Sequence, residues 1–168
     1  SYLGRVEEDQ KKTNTLLHSI FPKGTVGEIK SASNIGPKRY DTVAIVICDL
    51  VGFTSFCEKN SPEKVVETLQ DIFGEFELAI EKTGMEKIKT VGDAIVATSG
   101  ILGDNNEPVL KAVECSLMFQ KIANTMKIPW DVHIGIHYGP VVAGIVGKKT
   151  LQFDILGNTL NIAFRLCE

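Results

Sequence analysis

Apolar residues fall along the chain in two distinct periods. From Thr42 to Cys48 they form an unbroken, β-branched run, which predicts a strand buried on both faces. After Ser61-Pro62, an N-cap followed by a first-turn proline, Val65, Val66, Leu69, Ile72, Phe73, Phe76 and Ile80 recur at three- and four-residue spacing, and Gly84 closes the segment. That is the pattern of an amphipathic helix. Met85–Thr90 and Ala94–Thr98 read as short strands separated only by Val91-Gly92-Asp93, close enough to require a hairpin. A second helix is predicted from Pro108 to Met126, with Val109, Val113, Leu117 and Ile122 on one face. Asp131–Tyr138 and Val141–Val146 read as strands flanking Gly139-Pro140, and Leu151–Ile155 as one more.

The order strand, helix, hairpin, helix, strand predicts an α+β domain with a ferredoxin-like βαββαβ core, a palm-like antiparallel sheet with helices on one face. Upstream, residues 1–22 are polar with thin apolar spacing (Val6, Leu16, Leu17, Ile20) and read as a helix stopped by Pro22. It is either a frayed arm or a linker helix that couples the domain to an upstream regulatory module or pairs with its copy, since Val6, Thr13 and Ile20 stand seven apart. Lys23–Arg39, rich in Gly, Ser, Asn and Lys, reads as a connecting loop. The organisation is thus a linker over residues 1–39 and a core over residues 40–168.

Composition narrows the partners. The 168 residues suit one domain, and 18 Lys+Arg against 21 Asp+Glu give a formal charge of −3. A broad nucleic-acid-binding face wants an excess of cations, so no nucleic-acid partner is expected and any anionic ligand is small and locally held. The four cysteines have neither Cys-x-x-Cys pairing nor metal spacing, which points to a reducing compartment. The longest apolar runs fall well short of the ~20 residues a membrane-spanning helix needs. A cytoplasmic domain is expected, its parent either soluble or membrane-anchored. The start at Ser1 without Met and the stop at Glu168 within an amphipathic pattern suggest a fragment.

Two carboxylates carry the candidate chemistry. Asp49 follows the buried Thr42–Cys48 run and precedes Leu50-Val51-Gly52-Phe53-Thr54. A carboxylate where a buried strand runs out is costly unless paired or bound to a cation, and Gly52 permits close backbone approach. A turn-capping role weighs equally for Asp49 alone, and for Asp93, at the hairpin tip, turn chemistry is the better reading taken alone. Together, on adjacent strands, they suit a pair of divalent ions about 4 Å apart, the arrangement that serves displacement at phosphorus.

Four ordered stretches resemble the class III nucleotide cyclases: Asp49-Leu-Val-Gly-Phe-Thr-Ser55, Lys87-Ile-Lys-Thr-Val-Gly-Asp-Ala94, Gly135-Ile-His-Tyr-Gly-Pro-Val-Val-Ala-Gly144 and Asp154-Ile-Leu-Gly-Asn-Thr-Leu-Asn-Ile-Ala-Phe-Arg165. The resemblance runs from about Tyr40 to Glu168. It implies that Asp49 and Asp93 bind two Mg²⁺ (or Mn²⁺) ions with the Leu50 carbonyl, and that amides around Gly52, Phe53 and Thr54 meet the β- and γ-phosphates. It also implies that Lys89 and Asp154 select the base, that Asn161 positions the ribose, and that Arg165 stabilises charge on the reacting α-phosphate. Such sites are shared between two subunits, so a homodimer is implied. Members of the family continue past the Arg165 helix with a further helix and strands, including a phosphate-binding Lys, so the C-terminal part of the domain is expected to be missing. Phe164 stands where the family often has Ser.

The base pair is also chemically legible. Lys only donates and ionised Asp only accepts, which complements the N1 acceptor and 6-amino donor of adenine and mismatches guanine. Guanylyl members resemble a Glu at the Lys89 position. The expected activity is therefore adenylyl cyclase, ATP to 3′,5′-cyclic AMP and pyrophosphate. The alternatives are a catalytically impaired dimerising module, a guanylyl cyclase, or a cyclic dinucleotide synthase, whose Gly-Gly-Asp/Glu-Glu-Phe hairpin the chain lacks. Outside the motif, Asn161 and Arg165 read as solvated helix surface, and His133 and His137, without a third ligand, as packed or surface histidines. The glycines from Gly135 to Gly147 read as a hairpin turn plus close backbone packing, and Trp130 as a lone aromatic at a strand start.

Overall fold

The computed structural model describes residues 2–22, 37–102 and 106–168. Its elements are α1 (Tyr2–Ile20), β1 (Lys38–Leu50), α2 (Phe53–Lys59), α3 (Pro62–Lys82), β2 (Glu86–Val91), β3 (Ala94–Ser99), α4 (Pro108–Thr125), β4 (Val132–Val146), β5 (Gln152–Leu156) and α5 (Asn158–Cys167). The five strands form one antiparallel sheet in the order β2-β3-β1-β4-β5. Removing β5 leaves the βαββαβ plan expected from the sequence.

β1 is central because Val43 to Cys48 can be buried on both faces at once. Ala44, Val46 and Cys48 face α3 and α4, where Ile72, Phe76, Ala112 and Phe119 complete one core, with the Phe76 and Phe119 rings 4.4 Å apart. Val43, Ile45 and Ile47 face the other way, onto Ile88, Val96, Phe153, Ile155, Leu160 and Ala163. The two helices of the βαββαβ core share one face, as expected, while α5 covers the second. The α3 N-terminus forms as its sequence predicts, with the Lys64 amide donating to Ser61 Oγ at 3.3 Å.

Four expectations are corrected. β1 begins at Lys38, so Lys38 and Arg39 are strand rather than loop; residues 23–36 of that segment lie outside the described residues. Gly139-Pro140 makes no hairpin, since β4 runs straight through it. Pro140 lies opposite the register shift in β1 between Tyr40 and Val43, where a missing N–H breaks no ladder bond. The buried side of α4 is Ala112, Cys115, Phe119 and Ala123, while Val109, Val113 and Leu117 are exposed. Both stripes have helical period, and the one with small residues lets the helix approach the sheet. Finally, α2 was not anticipated, being only seven residues long with a single buried side chain, Phe53.

Candidate active site

β1 and the β2–β3 hairpin bring the two carboxylates together. Asp49 pairs with Ala94 in the β1–β3 register, which sets it beside Asp93 at the hairpin tip. The Asp93 carboxyl lies within hydrogen-bond reach, and one Asp49 oxygen, Oδ1, is buried without a partner among the described residues. Burial first, then the hydrogen bond and charge of Asp93, push the Asp49 carboxyl up to about 6; the Leu50 amide and His133, opposite Asp49 on β4, pull in the other direction. An orphaned buried oxygen beside a like charge is a site short of positive charge. Among the described residues no three His, Cys, Asp or Glu side chains form a metal-holding group. Two carboxylates fit a hard divalent cation that takes its remaining ligands from backbone carbonyl, water and phosphate.

The chain leaves this strand by a tight turn. Gly52 adopts φ 77°, a left-handed conformation costly for residues with a Cβ, and starts α2. A Cβ at Gly52 would meet nothing within 4 Å, so the glycine serves the backbone conformation rather than space. Phe53 turns inward against Phe56 and Trp130, at centroid distances of 6.1 and 5.8 Å, while Thr54 is exposed. Trp130 is thus not a lone aromatic at a strand start: it is buried, precedes β4, and holds the turn from beneath. Sequence reading missed this three-ring support because its members lie far apart in the chain.

The second group of residues lies across the sheet. Lys89 on β2 and Asp154 on β5 form an ion pair, Nζ to Oδ1 2.8 Å, with side chains 19% and 20% exposed. The Ile155 amide donates to the same Oδ1 at 2.8 Å, which fixes the carboxylate. Asn161 and Arg165 lie one turn apart on the exposed side of α5. That helix seats directly on β4, because a Cβ at Gly135 would stand 2.2 Å from the Ala163 carbonyl oxygen. It is further held by Thr159 Oγ1 donating to the Pro140 carbonyl at 2.6 Å and by Cys167 Sγ donating to the His133 carbonyl at 3.2 Å. The close-packing role expected for the glycine run is therefore present at Gly135, and at Gly139 against Thr159.

Residues 35–167 match the family model described as the adenylate and guanylate cyclase catalytic domain. The chain belongs to this family, the class III nucleotide cyclases. The cyclase domain is 33% identical to the receptor-type guanylate cyclase gcy-23 of Caenorhabditis elegans over 97% of its own length and 16% of the relative's. It is also 33% identical to gcy-5 of the same organism, over 94% and 15% respectively. The chain therefore spans about a sixth of these relatives. Among solved structures, the catalytic core of a rhodopsin-guanylyl cyclase with converted specificity, in complex with ATPαS, superposes with a TM-score of 0.74 at 28% identity, covering 77% of this chain and 72% of that one. A bacterial light-regulated adenylyl cyclase shares the fold at TM-score 0.81 and 21% identity, covering 98% of this chain and 51% of that one. No helix among the described residues is long and apolar enough to cross a membrane.

Proposed function

We propose that this cyclase domain acts on ATP, releasing 3′,5′-cyclic AMP and pyrophosphate. The observation that carries the choice of base is the Lys89–Asp154 pair. A donor beside an acceptor complements adenine when the lysine meets the N1 acceptor and the carboxylate receives the 6-amino donor, the pose this reading assigns. Held in that same pose, guanine would set its N1–H against the lysine and its O6 against the carboxylate, two unsatisfied contacts in a largely buried place. The names of the curated relatives favour GTP as the second reading. A lysine at position 89, where guanylyl members resemble a Glu, supports the ATP reading.

In this reading Asp49, the Leu50 carbonyl and Asp93 would hold two Mg²⁺ or Mn²⁺ ions, which when bound would supply the positive charge that the acidic chain lacks. The amides after Gly52, at Phe53 and Thr54, receive the terminal phosphates, and Asn161 orients the ribose. The 3′-oxygen gives up its proton to solvent and bonds to the α-phosphorus as the bond to pyrophosphate breaks and the electron pair leaves with the pyrophosphate, while Arg165, a permanently charged fork, stabilises the crowded phosphorus. The carboxylate pair comes from one subunit and Lys89, Asp154, Asn161 and Arg165 from its partner, so a homodimer holds two equivalent sites. Any upstream regulatory module would act through α1. The test is turnover of ATP and GTP by the purified protein with Mn²⁺ or Mg²⁺ and separation of the products. A higher kcat/KM for ATP is expected, and faster turnover of GTP would reverse the base assignment.

A further inference from the structure

α2 has little of its own to hold it. It is seven residues long, its start at Gly52 carries no side-chain cap, and Phe53 is its one buried side chain. A helix this short is unstable alone, so the turn that follows Asp49 and Leu50 depends on what packs beneath it. Two fastenings meet there, and both come from Trp130-Asp131. The Trp130 ring stands edge-on to Phe56 at 5.2 Å and tilted against Phe53 at 5.8 Å. The Asp131 carbonyl accepts from the Val51 amide at 2.9 Å, one step beyond the Leu50–Val132 pair that ends the β1–β4 ladder. Trp130 is itself fixed from the other side, its amide donating to the carbonyl of Ala123 on α4 at 2.9 Å.

Holding the Val51 amide also orients Leu50. The Leu50 carbonyl and the Val51 amide belong to one peptide group, which is trans. In a trans peptide the two point in opposite directions. With the Val51 N–H turned to β4, the Leu50 carbonyl turns to the other neighbour of β1, β3, at whose hairpin tip Asp93 stands beside Asp49. We propose, on the reading above in which Asp49, the Leu50 carbonyl and Asp93 bind divalent cations, that Trp130 is a positioning residue of that metal site. Seated between Phe53 and the end of α4, it holds the Asp131 carbonyl where that group aims the Leu50 carbonyl into the space the two carboxylates share. Its effect reaches the ligands through the backbone of the turn. Groups that orient a metal's ligands set affinity through geometry, and their loss ordinarily weakens binding by about 10–100-fold.

Binding of Mn²⁺ to the full chain without nucleotide tests this, with unbound Mn²⁺ counted by electron paramagnetic resonance and folding checked by circular dichroism. Trp130→Leu is expected to raise the Mn²⁺ dissociation constant about tenfold. Trp130→Phe, which keeps a ring against Phe53, should restore most of the affinity. Phe76→Leu is the control: it removes a ring buried in the same core whose ring partners are Phe73 and Phe119, and it should bind Mn²⁺ as the parent does. If Trp130→Leu does not fold, Phe56→Leu, at a partly buried ring of the three-ring cluster, takes its place with a smaller loss in the same direction. Parent-like affinity in the folded variant of that cluster, or an equal loss in Phe76→Leu, would overturn the positioning role. Asp93→Ala separates this outcome from the metal site itself. If Asp93→Ala weakens binding and the ring variant does not, the positioning role alone falls. If Asp93→Ala binds Mn²⁺ as tightly as the parent, the metal site falls and the positioning role with it.

Discussion

Lys89 Nζ lies 2.8 Å from Asp154 Oδ1, although the strands that carry them, β2 and β5, are the two edges of the sheet. The edges meet because the sheet wraps around one cluster, in which Ile88 beside Lys89 and Phe153 and Ile155 beside Asp154 pack with Ile45 and Ile47. The residues proposed to read the base therefore also clasp the sheet.

Replacing Lys89 with Glu should accordingly cost stability as well as ATP turnover. It would set two carboxylates against each other at a place about one-fifth exposed, and a loss of about 1–3 kcal/mol is expected, between the values for surface and buried pairs. Urea unfolding measures it. The reversed pair, Lys89→Asp with Asp154→Lys, should recover most of the stability and none of the activity on ATP. Failure to recover any stability would mean that the pair is not a clasp.

Much of this was legible in the residues, and the misses have physical causes. The βαββαβ order followed from Val43–Cys48, the Ser61-Pro62 helix start and the Val91-Gly92-Asp93 turn, each governed by local chemistry that tertiary packing did not overrule. The resemblance names Lys89 and Asp154 as base-selecting residues but says nothing of their contact, and no local pattern announces that the two edge strands carrying them will meet. On α4 the period was right and the face wrong. Periodicity cannot separate the stripe of Ala112 and Ala123 from that of Val109 and Val113; close approach to a sheet selects the smaller residues. At Gly139-Pro140 local turn chemistry was outweighed by a register shift across the ladder.

Asp49 and Asp93 make the metal-free protein less stable than it need be. Because burial and Asp93 raise the Asp49 carboxyl from 3.8 to about 6, the native state holds that proton more tightly than the unfolded chain does. Stability of the metal-free protein should therefore fall as pH rises from about 4 to 6. Asp49→Asn should remove that fall and raise the thermal midpoint at pH 7.5 by about 2–4 °C, the equivalent of about 1 kcal/mol. The same variant should lose the upward shift that Mn²⁺ gives the parent protein. Calorimetry with and without Mn²⁺ reads all three, and a Mn²⁺ shift that survived Asp49→Asn would remove Asp49 from the metal site.

Gly135 tests how α5 is held. With the Ala163 carbonyl oxygen 2.2 Å from the position of a Cβ, Gly135→Ala must push the helix away from β4. The obstacle is backbone rather than a movable side chain, so a cost of about 1–3 kcal/mol is expected. Arg165 and Asn161 would move with α5, and activity should fall further than the unfolded fraction explains. Unchanged activity in the folded Gly135→Ala protein would show that the seat of α5 does not set the site.

Arg165 separates chemistry from binding. It is exposed and takes part in no core, so Arg165→Ala should leave the urea midpoint within about 0.5 kcal/mol of the parent. If its guanidinium acts on the phosphorus as negative charge builds up, the loss belongs to the transition state: kcat should fall by about 10²–10³ while KM changes little. Because its proposed target is the nucleotide held by the other subunit's carboxylates, the variant is also informative in mixtures. A subunit with Asp93→Ala keeps Arg165, and a subunit with Arg165→Ala keeps Asp93. Their mixed dimer therefore has one complete site and one site lacking both groups. Two nearly inactive proteins mixed in equal amounts should recover about a quarter of the parent activity, since half of the dimers are mixed and each has one site of two. Recovery no greater than the sum of the separate proteins would place both residues in the same subunit's site.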